Sequence, residues 1–110
     1  MRDLIERLEK ATGPDRKLDS DICDFVFGKQ PWYAPSPEWC RLYHAEPTSS
    51  IDAARTLSDW VLLTLSDIGA DGLPYAVLGD PSQSPSVEVT GIGATPAIAL
   101  CIAGLKTRSA

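Results

Sequence analysis

Thr95-Pro96-Ala97-Ile98-Ala99-Leu100-Cys101-Ile102-Ala103-Gly104-Leu105-Lys106 is the stretch that decides the fold. Thr95 offers a hydroxyl to cap a helix, and Pro96 takes the first helical position, where a missing N–H is tolerated. Every residue over 97–105 is apolar or small, so this helix has no polar face. Lys106 and Arg108 suit its negative C-terminal end. Such a helix must be covered on more than one side, by a sheet and by either other helices or a second subunit. Ala97, Ala99, Ala103 and Gly104 let neighbouring backbones approach it closely.

The segments upstream supply that cover. Val87 and Val89 alternate with Glu88 and Thr90 as in a half-exposed strand, which Gly91-Ile92-Gly93 ends. Residues 60–65 form a short apolar run bounded by the turn residues of 67–72, and this reads as a buried strand. Its hairpin partner is 73–78, with Pro74 near the start of the run, where a lost donor matters least. Toward the N-terminus, Leu4, Ile5, Leu8 and Ala11 make one apolar stripe, predicting a helix over 2–12 that Gly13-Pro14 stops. Leu18, Ile22, Phe25 and Val26 repeat the spacing, predicting a second helix over 14–27 with Asp15 in its first turn. Ser49 and Asp52 fit a capping pattern before Ile51, Ala53, Ala54 and Leu57, predicting a third helix at about 50–58. Between 29 and 47, Pro31, Pro35, Pro37 and Pro47 argue against a long helix, and 39–44 is read as a short edge strand in a structured loop. The order is ααβαβββα. It describes an α+β fold whose three- to four-stranded, mainly antiparallel sheet is sandwiched between helices.

Composition sets the outer bounds. With 110 residues, 44% of them hydrophobic, the chain suits one domain over 1–110 that needs neither disulfide nor metal to hold a core. Fifteen acids against ten Lys plus Arg give a net charge of −5, which carries no footprint for nucleic acid or an anionic membrane. Cys23, Cys40 and Cys101 are odd in number and widely spaced, unlike a secreted disulfide framework, so a reducing cytoplasm is expected. The charged opening Met1-Arg2-Asp3-Leu4-Ile5-Glu6 is not a signal region, and no run reaches the roughly 18 apolar residues of a membrane span.

Three segments, taken together and in this order, resemble the phage ABA sandwich domain family of small bacteriophage and prophage proteins. They are Leu4-Ile5-Glu6-Arg7-Leu8-Glu9-Lys10-Ala11-Thr12-Gly13-Pro14-Asp15-Arg16 with Leu18-Asp19, then Thr48-Ser49-Ser50-Ile51-Asp52-Ala53-Ala54, and Gly93-Ala94-Thr95-Pro96-Ala97-Ile98-Ala99-Leu100-Cys101. The resemblance implies a sheet between two helical layers. It implies no cofactor and no catalytic residue, and residues 28–46 carry no part of it.

Several local patterns bear on chemistry. Gly91-Ile92-Gly93-Ala94-Thr95-Pro96 has the strand-to-helix setting of a dinucleotide loop, but Pro96 replaces the third glycine and too little chain follows for a βαβ unit. A small anion at Gly93, Ala94 and Thr95 is the weaker expectation. Cys40, His44, Cys23 and Cys101 lack the paired spacing of a zinc site, and the two outer cysteines read as core residues. Cys40 with His44 and Asp52 is the one arrangement from which a thiol- or metal-dependent enzyme could be built, and no nucleophile elbow accompanies it. The last half has the element order of a double-stranded RNA-binding domain, but Ala94, Thr95, Pro96 and Ala97 stand where that fold needs lysines.

Two surfaces remain. Asp19, Asp21 and Asp24 read as an acidic face, solvated or turned to a basic partner. Trp32, Tyr33, Trp39 and Arg41 are side chains of the kind that anchor interfaces. The leading expectation is a phage accessory protein that binds a host or phage protein without catalysis, with a homodimer through the apolar last helix also open.

Overall fold

The computed structural model describes residues 2–31, 33–68, 72–80, 82 and 87–108. Four helices come first: α1 Arg2–Lys10, α2 Arg16–Phe27, α3 Pro37–Ala45 and α4 Ile51–Arg55. Three strands follow, β1 Val61–Ser66, β2 Tyr75–Gly79 and β3 Glu88–Ile92, and α5 Pro96–Arg108 closes the chain. The sheet is antiparallel in the order β1-β2-β3. The fold class is therefore α+β with a three-stranded antiparallel sheet.

The last helix starts as the sequence predicts. Thr95 Oγ1 accepts from Ile98 N at 3.2 Å, and Pro96 is the first helical residue. All nine residues of 97–105 are buried. The sheet covers one side of α5, while α1 and α4 of the same chain cover the other, so no second subunit is needed to shield it. Gly91 is what lets the sheet come this close. A Cβ there would strike Ala99 O and stand 2.5 Å from Ala103 N, both in the α5 backbone. On the opposite side, a Cβ at Gly104 would meet Leu57 Cβ at 3.0 Å.

The register defines two sheet faces. Leu62, Leu78 and Val89 form one row toward α5, and Leu65, Ala76 and Gly91 form the next. The opposite face carries Thr64-Val77-Thr90 and Ser66-Tyr75-Ile92. A bulge between Leu62 and Thr64 turns Leu63 over Gly79, where a Cβ would lie 2.7 Å from Leu63 Cδ1. On that outer face Val61, Leu63 and Ile92 are 48%, 49% and 41% exposed. The layers thus run sheet, α5, N-terminal helices, and the sheet meets helices chiefly through one face. The sandwich was expected around the sheet; α5 takes the middle place because it is the element without a polar face. β3 is an edge strand, and Lys106 Nζ donates to its Thr90 O at 3.0 Å.

The sequence reading is corrected most at three places. Residues 39–44 are not a strand but the body of α3, started by Ser36, whose hydroxyl accepts from Trp39 N at 3.2 Å, with Pro37 at the first helical position. The cap of α4 is Ser50 rather than Ser49, accepting from Ala53 N at 3.2 Å. β3 runs through Gly91 to Ile92, because the ladder to β2 continues there and the glycine serves packing rather than a break.

Candidate functional site

The N-terminal helices are held by one buried carboxylate. Asp19 is 1% exposed, yet its Oδ1 accepts from Thr48 N at 2.8 Å and its Oδ2 takes Arg16 Nη1 at 2.9 Å. The same Arg16 nitrogen donates to Tyr43 O at 2.8 Å, and the guanidinium lies 3.8 Å over the Tyr43 ring. Thr48 Oγ1 accepts from Asp15 N at 3.0 Å. These bonds tie the start of α2 to the turn after α3, where Glu46 takes the left-handed conformation that ends the helix. Asp15 also caps α2, accepting from Lys17 N and Leu18 N.

The acidic residues expected to form one surface therefore divide. Asp19 is interior, Asp21 pairs with Arg7 at 2.6 Å, and Asp24 Oδ1 accepts from Trp39 Nε1 at 2.9 Å. Asp21 and Asp24 are half-buried. Trp39 is half-buried and stacks on Tyr43 at 5.1 Å, so it braces α3 against α2. Tyr33 is 73% exposed and Arg41 is exposed, while Trp32 lies outside the described residues.

A hollow in the described surface lies between α3 and α4. α3 packs chiefly on α2, and α4 on α5, leaving an open groove of about 500 Å³ between them. One face of α3, with Glu38, Arg41, Leu42 and Ala45, lines one wall. That spacing of three, one and three is a single helical stripe. Asp52, Ala53 and Thr56 of α4, with its cap Ser50, line the other wall, and Val26 and Phe27 from the end of α2 complete it. The lining is mainly apolar, with Glu38 and Asp52 carried on opposite walls and Arg41 beside them. Among the described residues none of these three side chains has an ion-pair partner. Of the described residues singled out in the sequence for partner binding, Arg41 lies here and Tyr33 and Trp39 do not. The rest of the groove was hidden because it depends on 37–45 being a helix.

Comparison with known families, with curated proteins and with solved structures finds no match to this chain.

The other sequence candidates fare differently. Cys40 and His44 stand one turn apart on α3, but at about 100° per residue they point away from the stripe that faces Asp52. The thiol, imidazole and carboxylate weighed together from sequence are thus not brought together. Among the described residues no group of three or more His, Cys, Asp or Glu side chains is placed to hold a metal. Burial pushes the Cys23 thiol up to about 12, helped by the Asp19 and Asp24 carboxylates, and raises Cys101 likewise with help from Asp19. Cys101 Sγ donates to Pro47 O at 3.1 Å. Both are core thiols that stay protonated. At the start of α5, Gly93 N donates to Pro74 O at 3.2 Å and is not open to an anion, while Thr95 Oγ1 accepts from Ile98 N at 3.2 Å. No helix among the described residues is long and apolar enough to cross a membrane.

Proposed function

We propose that this chain is a phage or prophage accessory protein that acts in the cytoplasm by binding a host or phage protein, without catalysis. The observation that carries this reading is the open α3–α4 groove. A helical stripe carrying Glu38, Arg41 and Ala45 faces α4 across solvent, with the buried Leu42 at its floor. A small domain gains nothing in its own stability from leaving such a wall apart, since burying apolar surface is worth about 25 cal/mol per Å². Arg41 on the wall and the exposed Phe27 at its end are side chains of the type that dominate contact energies. The phage assignment rests on the three-segment sequence resemblance. The thiol-enzyme alternative loses support because Cys40 and His44 face away from Asp52.

The test is site-specific photo-crosslinking in the organism that encodes the chain, with the reactive group at Thr56 on the groove wall or at Thr90 on the outer sheet face. A discrete protein adduct from position 56, absent from position 90 and lost with Ala45→Trp, is the expected result. Adducts from position 90 alone, or adducts unaffected by Ala45→Trp, would overturn the groove as the contact site.

A further inference from the structure

We infer that the groove between α3 and α4 receives one amphipathic α-helix of its partner, with lysine or arginine flanking the helix's apolar stripe. The inference rests on the groove being the contact site, and it specifies what enters. Both walls are helices and no strand edge borders them. An extended peptide laid here would bring backbone N–H and C=O groups against Val26, Leu42, Ala45 and Ala53, which offer them no partner, and a group buried there unpaired costs about a kilocalorie or more. A helix satisfies its own backbone and presents only side chains. The groove is open to solvent along one side, which leaves the polar face of such a helix wet. A volume of about 500 Å³ accepts the apolar side chains of two to three helical turns.

Charge settles the character of the flanks. Glu38 stands on one wall and Asp52 on the other, so a helix lying between them meets a carboxylate on each side of its buried stripe. Arg41 is the one cation among the lining residues, and the whole chain carries −5. Basic flanks are attracted by both walls, whereas acidic flanks are repelled by both and favoured only at Arg41.

The probes are two synthetic peptides of about 14 residues, four helical turns, with the same leucine stripe and either lysine or glutamate beside it. Each is titrated into the full-length ¹⁵N-labelled protein and followed by amide chemical shifts. The lysine peptide should shift Phe27, Leu42, Ala45 and Ala53 saturably and bind about tenfold tighter than the glutamate peptide, as two exposed ion pairs allow. The double variant Glu38→Lys with Asp52→Lys should reverse that preference. Ala45→Trp, placed at an exposed position so that the fold is retained, should abolish binding of both.

Equal affinity of the two peptides at these amides would overturn the basic flanks while leaving the groove as the contact site. Shifts confined to the outer sheet face, or none with either peptide, would overturn the helix as occupant. A nonionic dodecyl maltoside that saturates the same amides where neither peptide binds would replace it with a small apolar ligand. The crosslinking experiment, which uses no designed peptide, judges the groove itself independently of all these results.

Discussion

α5 and α3 are both helices begun by a hydroxyl cap followed by proline, and they end in opposite situations. α5 is enclosed by the sheet on one side and by α1 and α4 on the other, with every residue of 97–105 buried. α3 leans chiefly on α2, and only Leu42 among its nine residues is buried. The difference follows from side-chain pattern. A helix without a polar face has no stable position except the centre, whereas a helix with one apolar stripe can leave its other faces to solvent. Stability is therefore concentrated around α5, and surface available for recognition is concentrated around α3.

The contrast is open to attack at several points. The largest effect is expected from Gly91→Val, which drives a branched side chain into the α5 backbone and should cost more than about 3 kcal/mol, beyond ordinary overpacking. Chemical denaturation that finds the variant as stable as the parent would mean the sheet does not press on α5. Leu100→Ala, in the fully buried middle of the same helix, should cost about 3 kcal/mol, within the range for core leucines, read by urea unfolding. Asp19→Ala should cost about 2 kcal/mol, because it strands the buried Thr48 N–H and leaves the Arg16 guanidinium without its Asp19 partner. That loss sharpens the comparison, since it shows α3 held by a polar tie where α5 is held by packing.

A smaller effect is a pH dependence. The folded-state pKa of Cys23 is raised from 9.0 to about 12, so the unfolded chain loses its thiol proton first as pH rises. Stability is fully present below about pH 9 and falls between there and about 12, by up to about 1.4 kcal/mol per pH unit for each such thiol. Cys101 adds in the same direction. Unfolding free energies at pH 8.5 and 10.5 should differ less in Cys23→Ala than in the parent. At the small end, Arg41→Ala on the groove wall should change stability by no more than about 0.5 kcal/mol in thermal unfolding. A larger loss would make Arg41 part of the structure rather than a residue left for a partner.

Much of the architecture is legible in the residues, and the gaps have physical causes. Thr95-Pro96 and the apolar run behind it define α5 because cap, proline and composition agree. α3 is harder, since the prolines before it argue against a helix. Yet Ser36-Pro37 is a helix start, and Trp39, Leu42 and Tyr43 lie at helical spacing. Once 37–45 is helical, the groove follows from its stripe at 38, 41, 42 and 45, which no local reading of an edge strand reveals. The acidic run at 19, 21 and 24 misleads for another reason. Whether a carboxylate faces water depends on partners as remote as Thr48 and Trp39, and those pairings are set by tertiary packing.

The contact of Lys106 with Thr90 O bears on how copies of this chain behave when crowded together. An end strand with a free row of carbonyls invites a neighbouring molecule to add a strand of its own, the first step toward fibrous assembly. Here the ammonium group occupies the middle carbonyl of β3 and sets a positive charge beside that edge. Strand addition at β3 would have to displace it, so ordered stacking of sheets is left only the β1 side from which to begin.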